Sequence, residues 1–311
     1  TPDQTVAPLA APERLSGRLL SLDAFRGAIM LFLMSAGLGF REVARQFPDS
    51  GAWQFLAGHT DHAKWLGGGA WDMIQPAFMF MVGVAMPFSY GKRREAGEDL
   101  GRQFRHVLWR TFVLLLIGLM IVTRPGAERT TFLFTNVLSQ IALGYPFLYL
   151  LSLTRERNQW LAAGVIAIVY WMLFATYPLP TANFDYAQVG VRPGMLDAVT
   201  LPGFFAHWNM GTNVGADFDR WFLNLFPREK PFDFNPGGYV TLNFVPSLIT
   251  MTLGLMSGAR LRGVGSPRGK LLWMLLTALT CTVIGCLAGV TVCPVVKRIW
   301  TPSWAFYSGG I

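Results

Sequence analysis

Apolar residues along this chain gather into long runs instead of alternating with polar ones, and the runs have the length a membrane demands. Crossing a hydrocarbon core takes roughly 20 helical residues. Runs of that kind lie near 24–40, 69–90, 105–123, 130–153, 160–176, 238–259 and 271–293. They predict seven membrane-spanning helices, with a further helix opening at Pro302-Ser303-Trp304, so that the sequence reads as part of a longer protein. A transmembrane barrel would show polarity with period two, whereas these runs are rich in the helix formers Leu, Met and Ala. The expected fold class is therefore all-α, a polytopic bundle. Residues 21–311 form one membrane domain after an N-terminal segment 1–20, and an external insertion, rich in Pro, Gly, Asn and aromatic residues, occupies 177–237. Within that insertion, 217–223 is expected to form an amphipathic helix at the membrane surface.

Composition agrees with a lipid environment: 52% of residues are hydrophobic and 14% charged, and the mean hydropathy is +0.37. A net charge of +8 would suggest a nucleic-acid partner in a soluble protein. Here the basic residues instead occupy alternate short connections. Arg14, Arg18 and Arg26 precede or open the first span, Lys92 to Arg105 separate the second and third, Arg155 and Arg157 follow the fourth, and Arg260 to Lys270 follow the sixth. Positive connections stay in the cytoplasm, so the N-terminus is expected inside, and no nucleic-acid partner is expected. Lys297 and Arg298 stand as a local exception on the external side.

Polar groups within apolar spans are costly unless paired or facing a cavity, which singles out four clusters. In Ser21-Leu22-Asp23-Ala24-Phe25-Arg26-Gly27, Ser21 can cap the first helix, and Asp23 and Arg26 share a face. Arg26 then either closes an intrahelical ion pair or meets an anionic ligand. In the second cluster, His59 and His62 stand just outside a span whose first turns carry Asp72; a neutral imidazole can accept a proton and a nearby carboxylate can orient it. Helix capping is the competing explanation. The third, Asn136-Val137-Leu138-Ser139-Gln140, places two amides one turn apart, for packing or for lining a cavity. The fourth, Lys297 through Trp304, is explained by an interfacial aromatic belt and a proline in the first turn of a helix. No metal is expected: His59 and His62 lack a third ligand, and Cys281, Cys286 and Cys293 lack paired spacing.

In their order along the chain, these clusters resemble the heparan-α-glucosaminide N-acetyltransferase family, in particular its bacterial members. The residues that carry the resemblance are Ser21 to Gly27, His62-Ala63-Lys64-Trp65-Leu66-Gly67 leading to Asp72, Phe78 to Gly83, Asn136 to Leu143, Gly254 to Gly258 and Trp300 to Trp304. The chain departs at Met34, where the animal enzymes carry Asn, and at Gln75-Pro76, which replaces a Phe-Pro pair. The resemblance implies a protein of the bacterial inner membrane that passes an acetyl group from cytoplasmic acetyl-CoA to an external amino sugar or glycan. It makes His62, and not His59, the catalytic histidine, acting as a base or as a brief carrier of the acetyl group, with Asp72 tuning it. Arg26, Asn136 and Gln140 would hold the coenzyme, and Trp65, Trp208 and Asn209 the acceptor. The alternative is a non-catalytic accessory subunit, and a homo-oligomer or a larger membrane complex is compatible with either.

Overall fold

The computed structural model describes residues 20–311; the expected N-terminal segment, with Arg14 and Arg18, lies outside them except at its last residue. Twelve helices follow in order: α1 (Leu20–Met34), α2 (Phe40–Gln46), α3 (Gly51–His59), α4 (Ile74–Glu95), α5 (Leu100–Val122), α6 (Val137–Ser152), α7 (Glu156–Ala175), α8 (Leu196–Val199), α9 (Val214–Phe222), α10 (Phe244–Arg262), α11 (Pro267–Thr291) and α12 (Pro302–Gly310). Among the described residues there is no strand, and extended backbone pairs only in an isolated bridge from Leu66 and Gly67 to Val296. Among the described residues, five helical stretches are long and apolar enough to cross a membrane: Ala70–Glu95, Leu100–Val122, Glu156–Ala175, Thr241–Arg262 and Pro267–Thr291. The protein is an all-α polytopic bundle.

Two expected spans are shorter than their apolar runs. The first breaks at Ser35 into a 3-10 turn, Ser35–Leu38, after which Gly39 adopts φ 65°, a left-handed conformation that glycine takes without strain. Ser21, expected as a cap, lies within α1. Residues 130–136 are not helical, because the Asn136 side chain accepts the Ser139 N–H at 3.0 Å and starts α6 there. The amide nitrogen of Asn136 donates to Gly118 O at 3.2 Å, tying the start of α6 to α5.

The bundle is built around α10, in which every residue of 246–258 is buried. It packs most extensively on α4. Three glycines allow the approach: a Cβ on Gly83 would meet the Met251 carbonyl, one on Gly254 that of Phe80, and one on Gly258 that of Val84. Backbones held this close are the usual device of membrane helices, whose packing gains nothing from expelling water. By contrast, α5 and α11 are mostly exposed along their spans, as lipid-facing helices should be.

The two ends of the bundle differ in charge. At one, Arg262 pairs with Glu95 at 2.5 Å, Arg260 with Glu156 at 3.0 Å, and Lys270 donates to the last carbonyls of α10. At the other, residues 177–237 fold into short helices over a second apolar cluster that includes Trp65, Tyr170, Phe174, Trp208 and Ile299. Helix α9 turns Asp219 inward and leaves Trp221 exposed.

Candidate active site

The segment between α3 and α4 crosses this second end. Trp65 anchors it: the indole is buried and donates from Nε1 to Trp208 O at 3.1 Å. Gly67 N then donates to Val295 O at 2.8 Å, and Gly68 lies against the ring of Trp304, where a Cβ would collide. The chain next winds into the 3-10 turn Ala70–Met73, which carries Asp72. Asp72 is fully buried, and its Oδ2 accepts the backbone N–H groups of Ala63 and Gly69, both at 3.0 Å. That leaves Oδ1 for side chains. It accepts from His62 Nδ1 at 2.8 Å and from Lys297 Nζ at 2.9 Å.

Lys297 arrives from the connection between α11 and α12. Tyr170 donates to Ile299 O at 3.0 Å, and Asn243 donates to Arg298 O at 2.8 Å. The Thr301 hydroxyl accepts the Val296 N–H at 3.0 Å. Trp300 closes the turn at φ 45°, a left-handed conformation that costs a bulky residue about 1–3 kcal/mol. Tyr170 of α7 and Asn243 at the start of α10 thus pin a strained turn that delivers Lys297, a residue only 5% exposed. Burial pulls the Lys297 ammonium below its ordinary range, while Asp72 opposes that shift. Arg298, beside it, donates to Gly237 O and Ala63 O and stands over the Tyr239 ring.

With Nδ1 assigned as the donor to Asp72, from its hydrogen-bond partners, His62 has Nε2 free to accept a proton. The His62 side chain is 43% exposed and lines an open cavity of about 380 Å³. Trp71 and Tyr239 contribute aromatic walls, Gln75 and Asn136 amides, and Leu33, Thr135 and Lys297 complete much of the rim. Gln75, one of the two departures noted in the sequence, therefore supplies a polar group to the cavity, whereas Met34 is largely exposed.

A second, smaller cavity of about 100 Å³ lies nearer the basic end, lined by Arg26, Arg110, Tyr145, Ser89 and apolar residues of α4. Arg26 pairs with Asp23 at 3.6 Å. Arg110 stacks its guanidinium over Tyr145 at 4.9 Å and has no carboxylate partner among the described residues. Both cavities lie on one face of α4. Gln75, Phe78, Val82, Ala85 and Ser89 line one or the other at spacings of three and four, so the face runs about 21 Å along the helix axis.

The structure puts His62 and Asn136 at one cavity, with Asp72 buried and bonded to His62, and Arg26 at the other. Gln140 is at neither: it is buried, and it donates to Phe134 O and Thr241 O as a packing bond. Trp65, Trp208 and Asn209, expected to hold the acceptor, are each at most 3% exposed. Asn209 accepts the Leu201 N–H and donates to Tyr186 Oη. All three are packed in the interior, with no face open to a ligand. His59 is also apart, stacked on Phe55. Sequence reasoning gave Tyr239 and Arg110 no role and read Lys297 as part of an interfacial belt; for Lys297 the signal was its violation of the charge pattern on the external side.

No family model matches the chain. Over 108 residues it is 29% identical to the human (Homo sapiens) heparan-alpha-glucosaminide N-acetyltransferase, a stretch covering 35% of this chain and 14% of the human protein. The chain thus spans about a seventh of that relative's length.

Proposed function

We propose that this protein is a membrane acetyltransferase that takes an acetyl group from acetyl-CoA at its basic, cytoplasmic end and passes it to an amino sugar or glycan at the His62 end. The observation that carries the proposal is a half-exposed imidazole, oriented by a buried carboxylate, at the mouth of a cavity in a membrane bundle. Partial similarity to an N-acetyltransferase supports the same reading. The sides follow from the positive-inside rule, which puts Arg94, Arg260 and Arg262 in the cytoplasm.

Bound acetyl-CoA would supply a thioester carbonyl to be attacked. The residues fit such a donor, because Arg110 offers a guanidinium without a carboxylate partner and Arg26 a second one, both suited to phosphate oxygens. The pantetheine arm of the donor would lie along the α4 face, which lines both that cavity and the one at His62. There, Nε2 of His62 takes the proton of the acceptor amine as its nitrogen forms a bond to the carbonyl carbon. As the C–S bond breaks, the proton passes to the leaving sulfur. Asp72 holds the ring in the required tautomer throughout. Trp71 and Tyr239 give a sugar ring apolar faces to stack on, and Gln75 and Asn136 can hydrogen-bond its hydroxyls.

Purified protein incubated with labelled acetyl-CoA and a panel of amino sugars tests this. His62→Ala is expected to lower transfer about 100-fold or more. Transfer unchanged in the variant removes His62 from the mechanism, and no transfer by the wild type to any acceptor favours the accessory-subunit alternative.

A further inference from the structure

We infer that Lys297 is a positioning residue that keeps the His62 imidazole uncharged, and therefore able to act as a base, by sharing the Asp72 carboxylate with it. The inference rests on the reading of His62 as the base and adds the group that holds it in the right charge state.

A histidine bonded to a buried carboxylate tends to take a proton and become the cation of an ion pair. A protonated imidazole accepts nothing, so a base at this position needs its ring uncharged. The third group changes the balance. Oδ1 of Asp72 is shared between His62 Nδ1 and Lys297 Nζ, while Oδ2 is committed to two backbone donors. Lys297 Nζ lies 3.1 Å from His62 Nδ1. Since Nδ1–H already points at Asp72, this is an approach of a positive charge to the ring and not a hydrogen bond between them. An imidazolium would set two cations about 3 Å apart around a single carboxylate, in a site where the low dielectric magnifies their repulsion.

Other charged groups near His62 are already engaged. Asp61, on the same loop, accepts the His62 N–H and pairs with Arg41 at 2.9 Å. Arg298 is bonded to two carbonyls and stacked on Tyr239, whose hydroxyl burial keeps protonated. Lys64 is exposed. Among these, only Lys297 touches both members of the pair. The strained turn at Trp300 and its pins from α7 and the start of α10 give that contact a fixed geometry.

The readout is the charge state of His62 itself, followed by carbethoxylation with diethyl pyrocarbonate, which consumes only uncharged imidazole, with peptide mass spectrometry locating the label as pH is varied. In Lys297→Met, the midpoint for labelling His62 is expected to move up by about one pH unit or more relative to wild type. Lys297→Arg, which restores the charge, is expected to bring it back. A merely structural role would slow labelling or destabilise the fold without moving the midpoint. Thermal melting reports the fold of each variant. Should Lys297→Met not fold, Lys297→Gln, which keeps a hydrogen-bond donor for Asp72 without the charge, carries the test with the same sign. A midpoint unmoved in these variants overturns the inference. A shifted midpoint in a protein that transfers no acetyl group leaves the inference standing and sinks the acetyltransferase reading instead.

Discussion

Asp72 and Asp219 are both buried carboxylates, and their surroundings give them opposite tasks. Asp72 accepts from two backbone groups, a histidine and a lysine, so its charge is fully compensated. Asp219 has the Thr241 N–H as its hydrogen-bond donor and only distant help from Arg228, and burial pushes its carboxyl up to about 7. A carboxyl raised on folding binds its proton more tightly in the native state, so its stabilising contribution is complete at acid pH and is lost as pH rises through about 7. Thermal melting in detergent is expected to show stability falling across that window, and Asp219→Asn is expected to flatten the fall. His62 and Asp72 were legible in the sequence because they lie ten residues apart in one motif at the edge of an apolar run. Lys297 was not, because its partner is 225 residues away and spacing reveals only local pairs such as Asp23 and Arg26. Trp208 and Asn209 misled for a related reason: an aromatic and an amide in an external loop suit a sugar, and only the fold turns them inward.

At the scale of elements, hydropathy located the long helices well because lipid leaves a backbone almost no alternative to hydrogen-bonding itself. It failed at the ends of runs. Residues 130–136 are apolar enough to continue a span, yet a single side-chain cap at Asn136 sets where α6 starts. Asn136→Ala is expected to cost about 1 kcal/mol from the lost cap, seen as a lower melting temperature, and to loosen the wall that α6 gives the cavity. The α4–α10 contact is less forgiving. Gly254→Leu would drive a side chain into the Phe80 backbone, and backbone cannot yield as a rotamer can. Size-exclusion chromatography after solubilisation is expected to show aggregate in place of a folded monodisperse peak; a wild-type profile would mean the helices do not cross as closely as described.

The whole molecule separates two chemistries along one helix face. Arginines gather where α4 ends, and His62 and Lys297 where it begins, with Phe78 and Val82 of α4 lining the cavity nearer the arginines. Sidedness follows if the basic end is cytoplasmic. With the native cysteines replaced, a cysteine at Glu98 and one at Ala187 are expected to react with an impermeant maleimide from opposite sides of sealed vesicles; reaction from the same side would refute the topology. Acetyl transfer across the bilayer is the more demanding claim, and one measurement reaches it directly. Inside-out vesicles holding amino sugar in their lumen and given labelled acetyl-CoA outside should accumulate acetylated sugar within, and vesicles bearing His62→Ala should not. Lumenal product formed equally by both, or by neither, would contradict a transfer across the membrane that depends on His62.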